Sequence, residues 1–149
     1  GCGPGWNMRA IAQLGSELLL SGVDINDEAL ELARVEGLDV HNCPADAIAE
    51  KFKEFPPDVV VTSGVLIHVA PADLMRVMKA IIDCSARWVV AIEYDAEECE
   101  EVEYRGHTGA LWKRPYGAIY QELGLGLIES GVAEGYDQCT YWVLEKEAA

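Results

Sequence analysis

The chain opens "GCGPGWN" (residues 1–7), with glycine at positions 1, 3 and 5 ahead of a segment of helical character. Glycines at this spacing let a backbone turn tightly and let a ligand approach without a Cβ in the way. Such a loop normally follows a buried strand and opens a helix. Neither a strand nor a methionine precedes Gly1 here, so the sequence reads as part of something longer, its first strand supplied from outside this chain. A dinucleotide loop needs a third glycine at the G-x-G-x-x-G spacing. That position is Trp6 when counted from Gly1 and Met8 when counted from Gly3, so the spacing rejects a dinucleotide.

Downstream, strand-like and helix-like segments alternate to the end of the chain, the pattern of an α/β domain with a mainly parallel sheet. "WNMRAIAQLG" (6–15) reads as a short helix closed by Gly15, and "ELLLSGVD" (17–24) as a buried strand ending at Asp24. Asn26 is a favourable N-cap for "DEALELARVEG" (27–37), which Gly37 ends. "LDVH" (38–41) is a short strand, and "DVVVTS" (58–63) is the clearest buried one. "PADLMRVMKAIIDCSA" (71–86) sets Leu74, Val77, Met78, Ile81 and Ile82 on one helical face. "RWVVAIEY" (87–94) is a further buried strand. "GLIESGVA" (126–133) and "CTYWVLEK" (139–146) predict a C-terminal antiparallel hairpin on the sheet edge. No repeat or linker divides residues 1–149, which read as one domain.

Composition narrows the function. Half of the 149 residues are hydrophobic, enough for a core, yet no apolar run is long enough to span a bilayer and no secretory signal is visible. Five scattered cysteines without a CxxC pair argue against a disulfide framework or a zinc site and suit a reducing cytoplasm. The net charge of −15 repels phosphate backbones. The basic residues that could offset it are Arg105 and the Lys113–Arg114 pair of "WKRP". A small-molecule partner is expected, with no nucleic acid and no membrane.

The GxGxG loop, with an acidic residue ending the next strand, resembles motif I of class I S-adenosylmethionine-dependent methyltransferases. The resemblance implies a Rossmann-like methyltransferase fold. It also implies S-adenosylmethionine as cofactor and S-adenosylhomocysteine as product. Gly1, Gly3 and Gly5 would hold the methionine end, and Asp24, with Ile25 beside it, would accept the ribose hydroxyls. "PADAI" (44–48) resembles the segment whose acidic residue takes the adenine amino group. Asp46, with Ala47, matches it; the alternative is that Asp46 only starts a helix. "PDVVVTSGVLIHVAP" (57–71) resembles the fourth strand and the loop lining the sulfonium, which brings in Ser63. In this fold the absent first strand lies centrally, between the strands ending at Asp24 and Ser63.

Methyl transfer is a displacement at a sulfonium, so alignment does most of the work and a base need only remove the acceptor's proton. Where nucleic-acid amino-methyltransferases carry (N/D)PP(Y/F), this chain reads "TSGV" (62–65), and "FPPD" (55–58) precedes the strand. His68 lies just past the strand end and is the candidate base; the other reading is a histidine that packs against the cofactor loop. "EVEYRGHTGALWKRPYG" (101–117), with "GVLIHVAP" and "IEY", is similar to methylases associated with pseudaminic acid biosynthesis. That similarity implies a sugar-acid acceptor near Tyr94, Arg105 and His107, with Arg105 on its carboxylate; alternatively Arg105 pairs with neighbouring glutamates. The acidic run 95–103 reads as a solvated face, not a metal site. Trp6 and Trp88 read as core. Two rival functions stand beside an enzyme for a small hydroxylated or amino acceptor: a non-catalytic S-adenosylmethionine-binding module, and another Rossmann-like nucleotide-binding domain.

Overall fold

In the computed structural model, which describes residues 1–147, helix α1 (Trp6–Ala12) leaves the glycine loop directly. The chain returns as β1 (Gly22–Asp24), α2 (Asp27–Val35) and β2 (Val40–Asn42). A short 3-10 turn (Ala45–Ala47) and α3 (Ile48–Lys51) lead to β3 (Val59–Ser63). A second such turn (Leu66–His68) precedes α4 (Pro71–Cys84) and β4 (Trp88–Glu93). Then come β5 (Glu100–Tyr104), β6 (His107–Lys113), α5 (Tyr116–Glu122), β7 (Leu125–Val132) and β8 (Thr140–Lys146).

Local chemistry sets the helix starts. The Asn26 side chain accepts hydrogen bonds from the N–H groups of Glu28 and Ala29, satisfying two donors that the first turn of α2 leaves free. Pro71 begins α4, where its missing N–H costs nothing. Leu74, Val77, Met78 and Ile81 of α4 are buried on one face, as their spacing predicts, and Ile82 packs at its margin.

Three sheets form. β1 and β2 pair in parallel, and β3–β4–β8–β7 make a four-stranded sheet in that order. In the latter, β3 and β4 run parallel, while β8 is antiparallel to both β4 and β7. The C-terminal hairpin therefore sits on the sheet edge as expected. β5 and β6 form a separate antiparallel hairpin, where the sequence shows an acidic run and no strand signal. Its two-residue turn is Arg105–Gly106, both with positive φ (52° and 81°), the geometry that matches the twist of paired strands.

Within the described residues, β1 and β3 are not hydrogen-bonded to each other, and each is the last strand on its side of its sheet. The core is divided in the same way. A small cluster of Met8, Leu30, Ala33 and Val40 supports β1–β2, and a large one built on α4, α5, β4 and β8 supports the rest.

Two expectations fail on this account. Residues 17–21 are not strand, and Leu19 is fully exposed, because β2 is three residues long and offers a ladder only to Gly22–Asp24. β3 is not buried throughout: Val59 and Val61, which share one face of the strand, are 39% and 44% exposed. Nor is Trp6 a core residue. It is 69% exposed at the start of α1, with the Arg9 guanidinium 4.4 Å from its ring.

Candidate active site

The glycine loop is tied to the end of β1. Cys2 N–H donates to the Val23 carbonyl at 2.8 Å, and Gly3 N–H donates to Asp24 Oδ2 at 2.7 Å. Gly3 (φ 52°) and Gly5 (φ 82°) adopt the left-handed conformation that side-chain-bearing residues avoid. A Cβ on Gly5 would stand 2.1 Å from Leu38 Cδ1, whereas one on Gly3 would meet no atom within 4 Å. Gly5 is thus needed for packing, and Gly3 presents bare backbone to open space. A Cβ on Gly1 would strike Val65 Cγ2 at 2.6 Å, which puts the loop's first residue against the turn after β3.

Asp24 Oδ1 accepts the Asn26 N–H at 2.9 Å. Burial works to raise the Asp24 pKa, but the N–H groups of Asn26 and Gly3 outweigh it and hold the carboxyl below its ordinary value. Each oxygen keeps a lone pair free, so the ionised group can still accept a diol. Ile25, beside it, is exposed. The donor set and the bare backbone at Gly3 therefore suit an adenosyl ligand.

Asp46 sits in the 3-10 turn before α3, and its carboxylate is ion-paired with Arg76 of α4. Arg76 also holds Asp73 at 2.5 Å. Asp46 and Arg76 line an open groove between α3 and α4, and no residue of the glycine loop lines it. Ala47 N-caps α3, and Ser63 ends β3 in register with Ile92.

His68 ends the turn after β3. Its Nδ1 lies 2.7 Å from the Ala110 carbonyl of β6, an acceptor, so Nδ1 carries the proton and Nε2 keeps its lone pair. The imidazole is exposed and packs on Tyr104, ring centroids 5.2 Å apart. Arg105, at the hairpin tip, stacks on the same Tyr104 at 5.1 Å and forms no ion pair among the described residues, so the expected alternative of glutamate pairing does not occur. His107 is exposed across the turn. Tyr94, just past β4, donates its hydroxyl to Asp137 in the β7–β8 loop. That bond, with burial, pushes its pKa up to about 12. The same loop reaches α1, where the Tyr136 hydroxyl donates to Asn7 Oδ1 at 2.6 Å.

Two residues at this end of the sheet escaped the sequence reading. Glu93 ends β4 with no exposed surface; Oε1 accepts the Val65 N–H at 3.3 Å and Oε2 the Ile67 N–H at 3.4 Å. Burial pushes its pKa up to about 7 despite these donors. The alternation of "VVAIE" points Glu93 inward with Val89 and Ala91, a signal that was available. Arg114, read as half of a basic cluster, is 2% exposed and belongs to no surface patch. Its guanidinium donates to the Leu66 carbonyl at 3.2 Å and to the Val69 carbonyl at 2.8 Å.

A family model described as "Methyltransferase domain" matches residues 1–87, more than half of the chain. No curated protein matches the sequence. Among solved structures, the magnesium protoporphyrin IX methyltransferase of Synechocystis PCC 6803 with bound S-adenosylmethionine superposes with a TM-score of 0.71 at 14% identity, covering 99% of this chain and 67% of that one. A putative S-adenosylmethionine-dependent methyltransferase of Listeria monocytogenes gives 0.67 at 16% identity, over 99% and 89% of the two chains. The mitomycin 7-O-methyltransferase gives 0.70 at 18% identity, over 98% and 47%. These likenesses are of fold. Together with the match over residues 1–87 and the loop held on Asp24, they make the chain a member of the methyltransferase-domain family, the S-adenosylmethionine-dependent methyltransferases.

Proposed function

We propose that this domain transfers a methyl group to a small hydroxylated or amino acceptor, a sugar acid being the class its residues suit best. The observation that carries the reading is the Asp24 carboxylate, ionised at the end of β1 and bonded to the glycine loop, with Gly3 open beside it. S-adenosylmethionine supplies an electrophilic methyl on a sulfonium. Asp24 binds the ribose, with Ile25 against the adenosine, and the loop Gly1–Gly5 borders the methionine end. Asp46 and Ala47 would take the adenine edge, and Ser63 the opposite border. Asp46 must then share its carboxylate between adenine and Arg76.

His68 is the base in this reading. With Nδ1–H held by Ala110, the free Nε2 lone pair can take the acceptor's proton. Tyr104 supports both the His68 ring and the Arg105 guanidinium, so an acceptor carboxylate held by Arg105 lies near the base. Tyr94 and His107 would complete the acceptor's surroundings. This arrangement is the reason to favour a sugar acid of the pseudaminic kind.

The free edges of β1 and β3 fit a further parallel strand running into Gly1, since residues 1 and 2 already lie between the ends of both. The five cysteines are all free thiols, in keeping with a reducing cytoplasm.

Calorimetric titration with S-adenosylhomocysteine tests the cofactor half of this reading. The expected result is micromolar binding, about −8 kcal/mol, abolished in Asp24→Ala. Equal binding by the two proteins would remove Asp24 from the site. Failure of wild type to bind, repeated with a chain extended at its N-terminus, would defeat the reading outright.

A further inference from the structure

The turn at residues 65–69 carries His68, and its backbone is held from two sides by buried side chains that play no part in binding as described above. From β4, the Glu93 carboxylate receives the N–H groups of Val65 and Ile67. From the start of α5, the Arg114 guanidinium reaches the carbonyls of Leu66 and Val69. Four backbone groups flanking His68, on Val65, Leu66, Ile67 and Val69, are thus fixed by two side chains, each with under 3% of its surface exposed. A third hold comes from β6, where Ala110 fixes the imidazole itself.

Burying two charges is costly, and neither lies in an ion pair among the described residues. An apolar pair would fill the same space at lower cost. The turn's own bonds run from His68 N–H to the Val65 carbonyl and from Val69 N–H to that of Leu66. They leave the Val65 and Ile67 N–H groups and the Val69 carbonyl without partners inside it, and an apolar pair cannot satisfy or orient those. We infer that Glu93 and Arg114 are positioning residues that set the turn at 65–69, and through it the tautomer and direction of His68. The inference rests on His68 being the base of the proposed reaction.

Glu93 also makes the hold sensitive to pH. The groups that face it are the Thr62 hydroxyl of β3, Tyr116 and Tyr120 of α5, Cys139 before β8, and Gly1 of the glycine loop. The Thr62 and Tyr120 hydroxyls are buried without a hydrogen-bond partner of their own. Burial outweighs the donors and charges among them and raises the carboxyl pKa. As pH falls, the carboxylate takes up a proton, one oxygen becomes a hydroxyl, and an acceptor for the Val65 or Ile67 N–H is lost. The turn is therefore held most firmly when Glu93 is ionised, above about pH 7.

The test is NMR on the full chain, labelled with nitrogen-15, and needs no methyl acceptor. In wild type the amide protons of Val65 and Ile67 should titrate together with a midpoint near 7, and the step should persist in His68→Ala. His68 should show the Nδ1–H tautomer, with exposed His107 as internal reference. In Glu93→Gln the amide step disappears. In both Glu93→Gln and Arg114→Lys the tautomer preference of His68 moves toward that of His107. Residues that only fill space would lower the melting temperature and leave the His68 tautomer and the amide titration unmoved, and that result overturns the inference. Should a variant not fold, a wild-type His68 with no greater Nδ1–H preference than His107 overturns the inference alone. Wild-type amides that stay flat between about pH 5 and about pH 9 remove its pH dependence. S-adenosylhomocysteine binding, measured on the same samples, judges the cofactor reading separately. Binding with an unmoved His68 defeats this inference only, and absent binding defeats that reading.

Discussion

Replacing Glu93 by glutamine should make the protein's stability less dependent on pH, and the structure gives the size of the effect. The folded carboxyl has its pKa pushed to about 7 against an ordinary 4.5 because it is buried. A raised carboxyl pKa means that the folded state binds more protons than the unfolded chain between these two values. Stability from this group is greatest below about pH 4.5 and is lost as pH rises through about 7. At about 1.4 kcal/mol per pH unit, the loss amounts to about 3 kcal/mol. Glutamine has the same shape and keeps one acceptor oxygen but cannot ionise. Subtracting its stability from that of wild type cancels the titration of the other acidic groups, to the extent that effects add. Thermal melts of both proteins from about pH 4 to about pH 8.5 give the measurement. For a chain of this length, about 3 kcal/mol corresponds to roughly 6–12 °C. The variant should gain that much on wild type between the two extremes. A difference that stays constant within about 0.5 kcal/mol would refute the reasoning and return Glu93 to the ordinary carboxylates.

The glycines and the Asp46 pair supply further checks. Gly5→Ala should cost about 2 kcal/mol, from a left-handed backbone and a Cβ 2.1 Å from Leu38, and should also weaken S-adenosylhomocysteine binding. Gly117→Ala, whose Cβ would stand 2.2 Å from the Trp142 indole in the main core, should destabilise by about 1–3 kcal/mol and leave that affinity unchanged. Differential scanning fluorimetry with and without ligand separates the two. For Asp46, calorimetry on Asp46→Ala and Arg76→Ala decides its role. If it receives adenine, affinity falls roughly tenfold, about 1.4 kcal/mol, in the first variant and holds or rises in the second. Matching stability losses below about 1 kcal/mol with no change in affinity would mark a surface ion pair only.

The elements that could be read in the sequence are those whose signal is local. α4 shows its buried face in its spacing, and α2 shows its start in Asn26, because both depend on residues one or two turns apart. The glycine loop and Asp24 were legible for the same reason: a left-handed backbone and a strand-end carboxylate each leave a residue-type mark. What failed depends on partners far along the chain. Leu18 and Leu19 look like strand, but strand requires a neighbour, and parallel β2 begins only at Val40, opposite Gly22, too late to provide one. The β5–β6 hairpin is dominated by glutamates that mask its pairing, although Arg105–Gly106 fits a two-residue turn. Arg114 has the sequence context of a surface cation, and only the carbonyls of Leu66 and Val69, 45 residues or more away, explain why it is inside.

The turn at 65–69 is where these separate pieces meet. Val65 lies against Gly1 of the cofactor loop, and the N–H groups of the turn run to Glu93 of β4. Its carbonyls run to Arg114 ahead of α5, and His68 is held by the β5–β6 hairpin that also carries Arg105. Displacement at a methyl group demands near-linear alignment of donor and acceptor, so a small error in either half is felt in the rate. Five residues bonded to both halves can transmit such an error without touching either ligand. A substitution at Glu93 or Arg114 should therefore disturb turnover more than S-adenosylhomocysteine affinity, whereas one at Asp24 should do the reverse. Once an acceptor is in hand, that contrast tests the proposed division between Asp24 on the cofactor and a turn that aims His68 as the base.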